Sequence, residues 1–405
     1  MQRRKEAMRK ANEYLNVADM FKLGALQTEQ SHPRTRHLSD WAKKDIQKAI
    51  AVIKEIDQAV LDLVARKSVE IELLASDIEH TLAEGGRIFL SGCGATGRLA
   101  LTLERIWREL DSFEDGGPDD ERVDSVLAFM AGGDLALVKA IEDFEDHPEY
   151  GVAQLKELGF GSGDLLLAIT EGGETPFVLG TVEEAAKVAE RMPYLLYCNP
   201  DEVLRATVER SKRVIDNPRI KKLNLTTGPQ VLSGSTRMQA STVQMLSVGL
   251  ALFRKHHGFD IAPRARDFTR WFRSLDLSFL EKFIRREAEI YKQGEFLLYR
   301  TREYGMAVVT DTTERSPTFS LAPFENFDDP SPTRSWAYLS IPGTSNSEEA
   351  WYHLFLRPPR TLEWQQVRHI AGRQRLLGYD FSDQAKDGRG QLREHTFDIY
   401  KRDSR

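Results

Sequence analysis

Two short runs of small residues have the types and spacing needed to hold an anion. The first is Ser91 to Gly97, S-G-C-G-A-T-G. Ile88, Phe89 and Leu90, an apolar run of strand type, precede it, and a helical pattern with Leu99, Leu103, Ile106 and Leu110 at 4-3-4 spacing follows it. Glycines let the backbone approach a ligand closely. The free N–H groups and the positive end of the helix dipole then point at it. The natural ligand of such a turn is a phosphate ester. The second run is Thr170 to Thr175, T-E-G-G-E-T, after the continuous apolar stretch Leu165 to Ile169 and before Pro176, which suits the first turn of a helix.

Gly92-x-Gly94-x-x-Gly97 also fits the dinucleotide fingerprint. That reading requires an acidic residue at the end of the second strand, roughly 20 residues on, to hold a ribose hydroxyl. Here the second strand ends in Met130-Ala131-Gly132-Gly133, and Asp111 and Glu114 lie in the connection before it. A nucleoside-triphosphate loop needs Gly-Lys-Ser/Thr, and Gly97-Arg98-Leu99 is not that.

The elements that position these turns alternate between strand and helix. Residues 1 to 27 read as an irregular or partly helical arm, and T-E-Q-S-H-P-R-T (Thr28 to Thr35) as a loop. Ser39 is a plausible cap for a helix over Asp40 to Ala65, and a second helix runs from Ser68 until Gly85 and Gly86 stop it. Further strands are expected at Val123 to Met130 and Tyr194 to Cys198, with a weaker fifth at Arg213 to Ile215. A helix is expected over Asp134 to Asp146 and a short one before Gly159. Such alternation implies a parallel sheet covered on both faces, with ligands at the carboxyl ends of its strands. Both glycine-rich turns fall at those ends.

Residues 226 to 257 open with T-T-G-P-Q-V-L-S-G-S-T-R-M and continue as a long apolar helix to His257. Gly258 to Arg266 reads as a linker, Phe279 to Tyr291 as a helix, Gly305 to Thr310 and Trp336 to Ile341 as strands, and Glu348 to Leu356 as a helix. Asp111 to Arg122 and D-T-T-E-R-S-P-T-F-S-L from Asp311 read as polar connections, and Arg389 to Arg405 is highly charged.

Composition sets the outer bounds. The 405 residues are 41% hydrophobic and 29% charged, enough for a full core in two domains or one with a large extension. A net charge of -6 argues against a general nucleic-acid binder. No apolar run approaches the roughly 18 residues that span a membrane, and no apolar segment follows the basic first ten residues as in a signal peptide. The two cysteines, Cys93 and Cys198, suit small buried residues in a reducing cytosol, so the expected location is cytoplasmic.

G-C-G-A-T-G-R-L, A-G-G-D, E-D-F-E-D, T-P-F-V and, most specifically, T-G-P-Q-V-L-S-G-S-T-R-M occur in that order. Together they resemble the sugar isomerase (SIS) fold, in particular its branch of N-acetylmuramic acid 6-phosphate etherases and glucokinase regulatory protein. T-E-Q-S-H-P-R-T fits the same branch. The likeness covers about residues 28 to 257, and the tail around Asp311 is similar to the start of the regulatory protein's second SIS domain. The resemblance implies a three-layer α/β/α SIS domain with a parallel, five-stranded sheet and N-terminal helices. The implied division is an arm over 1–40, the phosphosugar domain over 41–257 and a C-terminal α/β extension over 267–405.

The resemblance also implies the site: a sugar phosphate held by Thr96 and Gly97 in the first turn, Thr170, Gly173 and Thr175 in the second, and Ser233, Ser235 and Thr236 in S-G-S-T-R. Each hydroxyl could equally be a helix cap. Arg98 and Arg237 could reach a phosphate or pair with surface acids. No metal or cofactor is implied. The etherase reaction removes the proton at C2 of the open-chain sugar and releases the C3 ether oxygen as lactate, which takes two carboxyl groups. The family's base matches Glu145, which could otherwise be part of a solvated acidic helix end. The family's acid falls on Ile106. Glu104, two residues earlier and about 200° round the helix, could serve only if the helix start shifts.

In the second turn Gly172 stands where a serine is usual and Glu174 where the etherases tend to have arginine, an unfavourable charge beside a phosphate unless it points away. Three functions therefore stay open: an etherase-type lyase, a non-catalytic phosphosugar sensor working through a protein partner, and an aldose-ketose isomerase. SIS domains usually pair, so a homodimer is expected.

Overall fold

The computed structural model describes residues 2–17, 23–111, 124–137, 144–295, 297–312, 337–344, 347–360, 362 and 364–365. Its centre is a parallel sheet of β1 (Ile88–Gly92), β2 (Val126–Met130), β3 (Leu165–Ile169), β4 (Tyr194–Tyr197) and β5 (Lys221–Asn224), in the order β2-β1-β3-β4-β5. Every residue of the first four strands is buried. Covering on both faces explains why they read as continuous apolar runs rather than alternating ones. Ile88 of β1 lies beside Val126 on one side and Leu165 on the other, so the carboxyl ends of these strands align.

The sheet has the expected number of strands, but its fifth is not where the sequence pattern placed it. Arg213 to Ile215 closes a helix, with Val214 and Ile215 on its buried side. The real β5, K-K-L-N, buries only Leu223 fully and so carries almost no apolar signal.

One helical layer over the sheet contains α3 (Ile46–Arg66), α4 (Ser68–Ala83), α5 (Gly94–Asp111) and α10 (Gln239–His257). The other contains α6 (Pro148–Glu157), α7 (Pro176–Val188) and α9 (Glu209–Ile215), with α8 (Asp201–Thr207) beside α9. Ser91 of β1 hydrogen-bonds Thr181 of α7 at 2.8 Å, which ties the strand to that second layer.

Before the sheet, α1 (Gln2–Val17) is helical and α2 (Leu38–Lys44) is separate from α3. The single helix expected over Asp40 to Ala65 breaks at Asp45, whose extended backbone frees its carboxylate to accept from the Lys48 N–H at 3.1 Å. Ser39, the expected cap, lies inside α2.

Three further expectations are corrected. Asp134 to Leu137 is a single 3-10 turn and Phe144 to Asp146 a turn outside any helix, so the expected helix does not begin at Asp134 or reach Asp146; residues 138–143 between them lie outside the described set. The supposed linker at Gly258 to Arg266 is mostly helix, α11 (Ile261–Ser274), anchored by buried Ile261 and Ala265. Gly305 to Thr310 is part of helix α13 (Gly305–Thr312), not a strand. Met306 and Val309, three residues apart, are its buried face.

After α12 (Leu280–Lys292), the tail forms β6 (Leu297–Arg300), α13, β7 (Ala337–Ser340) and α14 (Ser347–Phe355), with β6 and β7 parallel. Both α13 and α14 pack on α5. Met306, Leu339, Trp351 and Phe355 join the same buried cluster as the central sheet. The polar stretch after Thr312 and the charged run Arg389 to Arg405 fall outside the described residues.

Candidate functional site

The first turn leaves β1 and enters α5 with almost no room for side chains. A Cβ at Gly97 would collide with Met130 of β2. The Thr96 hydroxyl accepts from the Cys93 N–H at 3.0 Å and donates to the Cys93 carbonyl at 2.9 Å. It is thus satisfied within its own turn, and Thr96 is buried.

The second turn is built in the same way. Thr170 and Thr175 share a hydroxyl hydrogen bond of 3.0 Å, and the Gly173 N–H donates to Thr170 Oγ1 at 3.3 Å. Gly173 has φ of +79°, and Tyr197 and Leu204 close on it, so only glycine fits there. Gln244 of α10 donates to the Thr170 carbonyl at 2.7 Å and fixes the turn from below.

S-G-S-T-R reaches the second turn through Thr236, whose hydroxyl donates to the Glu171 carboxylate. Ser235 is buried, whereas Ser233 is exposed. The T-E-Q segment joins on the other side. Asn199, just past the end of β4, donates through Nδ2 to Thr28 Oγ1 at 3.0 Å and to the Gly172 carbonyl at 3.1 Å, and its Oδ1 accepts from the Thr28 N–H at 3.3 Å. The Gly234 N–H donates to the Thr28 carbonyl at 3.4 Å. One asparagine therefore ties the T-E-Q segment to the second turn, and Thr28 ties both to S-G-S-T-R. Sequence reasoning missed Asn199; its place directly after a strand, at the carboxyl end of the sheet, was the available signal.

Glu145 lies beside the first turn. The Cys93 thiol donates to Glu145 Oε2 at 2.9 Å, and the Glu145 carbonyl accepts from the Phe177 N–H at 2.9 Å. Burial, the Glu145 charge and the hydrogen bond to it push the Cys93 thiol well above its ordinary range, so it stays protonated and remains the donor. Glu174 adds to that upward push, which places it near the same turn. Its carboxylate pairs with Arg210, and Arg210 Nε also donates to the Glu174 carbonyl at 2.6 Å. Glu29 of the T-E-Q segment is raised by desolvation and then by Glu174.

The two expected phosphate-reaching arginines have partners within the chain, and Arg98 also acts electrostatically on Cys93. Arg98 is buried and donates to the Ala136 carbonyl at 3.3 Å. Arg237 donates to the carbonyl and carboxylate of Asp311 on α13 at 2.9 and 3.0 Å.

Glu104 sits in a different environment from Glu145. It is 1% exposed and faces three arginines: Arg357 at 3.1 Å, Arg108 at 3.1 Å and Arg360 at 2.9 Å. Burial alone would raise its carboxyl, but Arg357, Arg360 and Arg108 outweigh it and hold it down to about 2. A carboxylate in that state has no proton to give at neutral pH. Ile106, where the resemblance placed an acid, lines an apolar cavity of 590 Å³ with Leu103, Met245, Phe253 and Phe268. Among the described residues no group of three or more His, Cys, Asp or Glu is placed to hold a metal ion.

Comparison with known proteins fits this arrangement. A profile of the glucokinase regulatory protein N-terminal SIS domain matches residues 70–186. The N-acetylmuramic acid 6-phosphate etherase of Nostoc sp. is 30% identical over 234 residues, 58% of this chain and 69% of the relative. That of Rippkaea orientalis is 31% identical over 227 residues, 56% of this chain and 67% of the relative. The chain belongs to the SIS family, in its etherase and glucokinase regulatory protein branch. A crystal structure described as a putative phosphosugar isomerase from Silicibacter pomeroyi overlaps 71% of this SIS chain and 71% of its own, at 11% identity and a TM-score of 0.42. No helix among the described residues of the SIS chain is long and apolar enough to cross a membrane.

Proposed function

We propose that the chain binds a hexose or amino-sugar 6-phosphate and acts as an etherase-type lyase on N-acetylmuramic acid 6-phosphate or a close relative. The phosphate lies among the turn at Thr96 and Gly97, the turn at Thr170, Gly173 and Thr175, and S-G-S-T-R with Ser233, Ser235 and Thr236. Thr96, Thr170 and Thr175 shape the turns with their hydroxyls, so the N–H groups of the turns carry most of the anion's contacts. Pairing with Arg210 offsets the Glu174 charge beside the second turn.

The observation that carries the reading is the Glu145 carboxylate, held by Cys93 beside the first turn. As base, Glu145 takes the C2 proton; the C3–O bond then breaks and lactate departs. Glu104 has a structural part instead of the acid's. Glu29, on the T-E-Q segment beside Gly234 and raised by burial and by Glu174, is the proposed donor to the departing oxygen.

A non-catalytic phosphosugar sensor is the second reading, favoured by the apolar surroundings of Ile106. Incubation with N-acetylmuramic acid 6-phosphate and measurement of lactate separates the two. The enzyme reading expects lactate, abolished in Glu145→Gln while the sugar phosphate still raises the melting temperature. Binding without lactate in the unaltered chain sinks it. We also propose a cytoplasmic homodimer, with the extension over 267–405 as the opening part of a second SIS domain.

A further inference from the structure

The segment carrying Arg357, Arg360, Leu362 and Trp364 has no part in any expectation drawn from the sequence. It leaves α14 and runs along the end of β2 to the turn that holds Glu145. Arg357 is 5% exposed and bridges Glu104 of α5 to Asp134, with Nη1 2.6 Å from Asp134 Oδ2. Arg360 and Asp134 exchange hydrogen bonds: the Arg360 N–H donates to Asp134 Oδ2 at 2.7 Å, and the Asp134 N–H donates to the Arg360 carbonyl at 3.1 Å. Arg360 Nη1 donates to the Ala128 carbonyl at 3.0 Å. Leu362 packs where a Cβ on Gly133 would sit, 3.1 Å from its Cγ.

Trp364 completes the path. Its ring stacks on Phe144 at 6.1 Å and 21°, meets Tyr150 edge-on at 6.3 Å, and its Nε1 donates to Glu157 of α6 at 2.9 Å. Phe144 is fully buried and immediately precedes Glu145. Glu145 lies in a turn, and the packing of Phe144 and the Phe177 N–H on its own carbonyl both help to place it.

We propose that this segment is a strap that positions Glu145 against Cys93, with Arg357 as its anchor in the Glu104–Asp134 cluster and Trp364 as the positioning residue. The C-terminal extension is thereby part of the sugar-phosphate site. The strap also accounts for the buried Glu104, whose carboxylate is the anchor's partner. The proposal rests on Glu145 being the functional carboxylate, but its geometry is testable without turnover.

Cys93 is the reporter. Alkylation of its thiol is slowed by burial and by Glu145, and the other cysteine, Cys198, is fully buried. Trp364→Ala frees Phe144 and Glu145, so Cys93 alkylation should accelerate about tenfold. Trp364→Phe keeps an aromatic on Phe144 and should stay within about twofold of the unaltered chain. Glu145→Gln should accelerate Cys93 similarly, and the double variant no further, because both changes act on one contact.

An unchanged Cys93 rate in Trp364→Ala, an additive double variant, or an equal rise at Cys198 (general loosening) would each overturn the strap. Lactate release is read in parallel. If lactate appears, Trp364→Ala should lower kcat more than it raises KM; if none appears, the alkylation result still decides the strap while the lyase reading fails.

Discussion

Glu104 is buried and Glu145 exposed, and their neighbours give them different chemistry. Glu145 accepts a hydrogen bond from the neutral Cys93 thiol. Glu104 has three guanidinium groups and is fixed as an anion. Because its folded value of about 2 is below the ordinary 4.5, its stabilisation is complete above about 4.5 and is lost as pH falls through that window. Glu104→Gln should therefore cost about 3–5 kcal/mol at pH 7, measured by urea unfolding, since it removes the one carboxylate shared by Arg360 and the buried Arg357 and Arg108. The variant should also show a smaller drop in stability between pH 5 and pH 2 than the unaltered chain; an equal drop would assign acid sensitivity to other groups.

The turns and their order were readable from sequence because glycine spacing and apolar runs are local properties. The role of Glu104 was not, since its partners Arg357 and Arg360 are more than 250 residues away and no local pattern links them.

Between elements, Asn199 is the joint on which the site's rim turns. It holds the T-E-Q segment on the second glycine turn, and both of its amide ends are used. Asn199→Ala would leave the buried Thr28 hydroxyl and N–H without those partners, a cost of about 1–3 kcal/mol. The expected outcome is weaker sugar-phosphate binding, about tenfold in Kd by calorimetry, with the central sheet intact by far-ultraviolet circular dichroism. Undiminished affinity would show that the T-E-Q segment is not part of the binding rim.

Element types were readable where burial was uniform, as in β1 to β4. They failed where tertiary contacts override periodicity. Gly305 to Thr310 looks like a strand in isolation yet forms a helix, because α13 packs on β7 and α14 and buries Met306 and Val309 in the cluster that holds Leu339 and Trp351. Glu145 was placed in a helix by resemblance; a turn held from outside takes that place.

At the scale of the molecule, the described part of the tail shares the core of the sheet domain. Within the T-E-Q segment Thr28 is buried in its own chain, while Glu29, Gln30 and Ser31 are exposed. For the proposed homodimer, exposed Phe268, Trp271, Phe279 and Phe283 on and beside α11 and α12 offer an aromatic group among the described residues. Gel filtration with light scattering should give twice the 46.1 kDa chain mass. Trp271→Glu should shift it toward the monomer; a monomer from the unaltered chain would remove the dimer altogether.

Strand β2 is the outermost strand on its side of the sheet, and its outward carbonyls would otherwise offer hydrogen bonds to any passing strand. Two of them are occupied: Ala128 by Arg360, and Met130 by the Gln154 side chain at 3.1 Å. Leu362 and Pro359 line the small cavity that remains beside them. The same residues that reach toward the site thus also close the sheet's open margin. A chain cut before Arg357 would expose a fully apolar strand with free acceptors, and such a product would self-associate through β2 instead of staying dispersed.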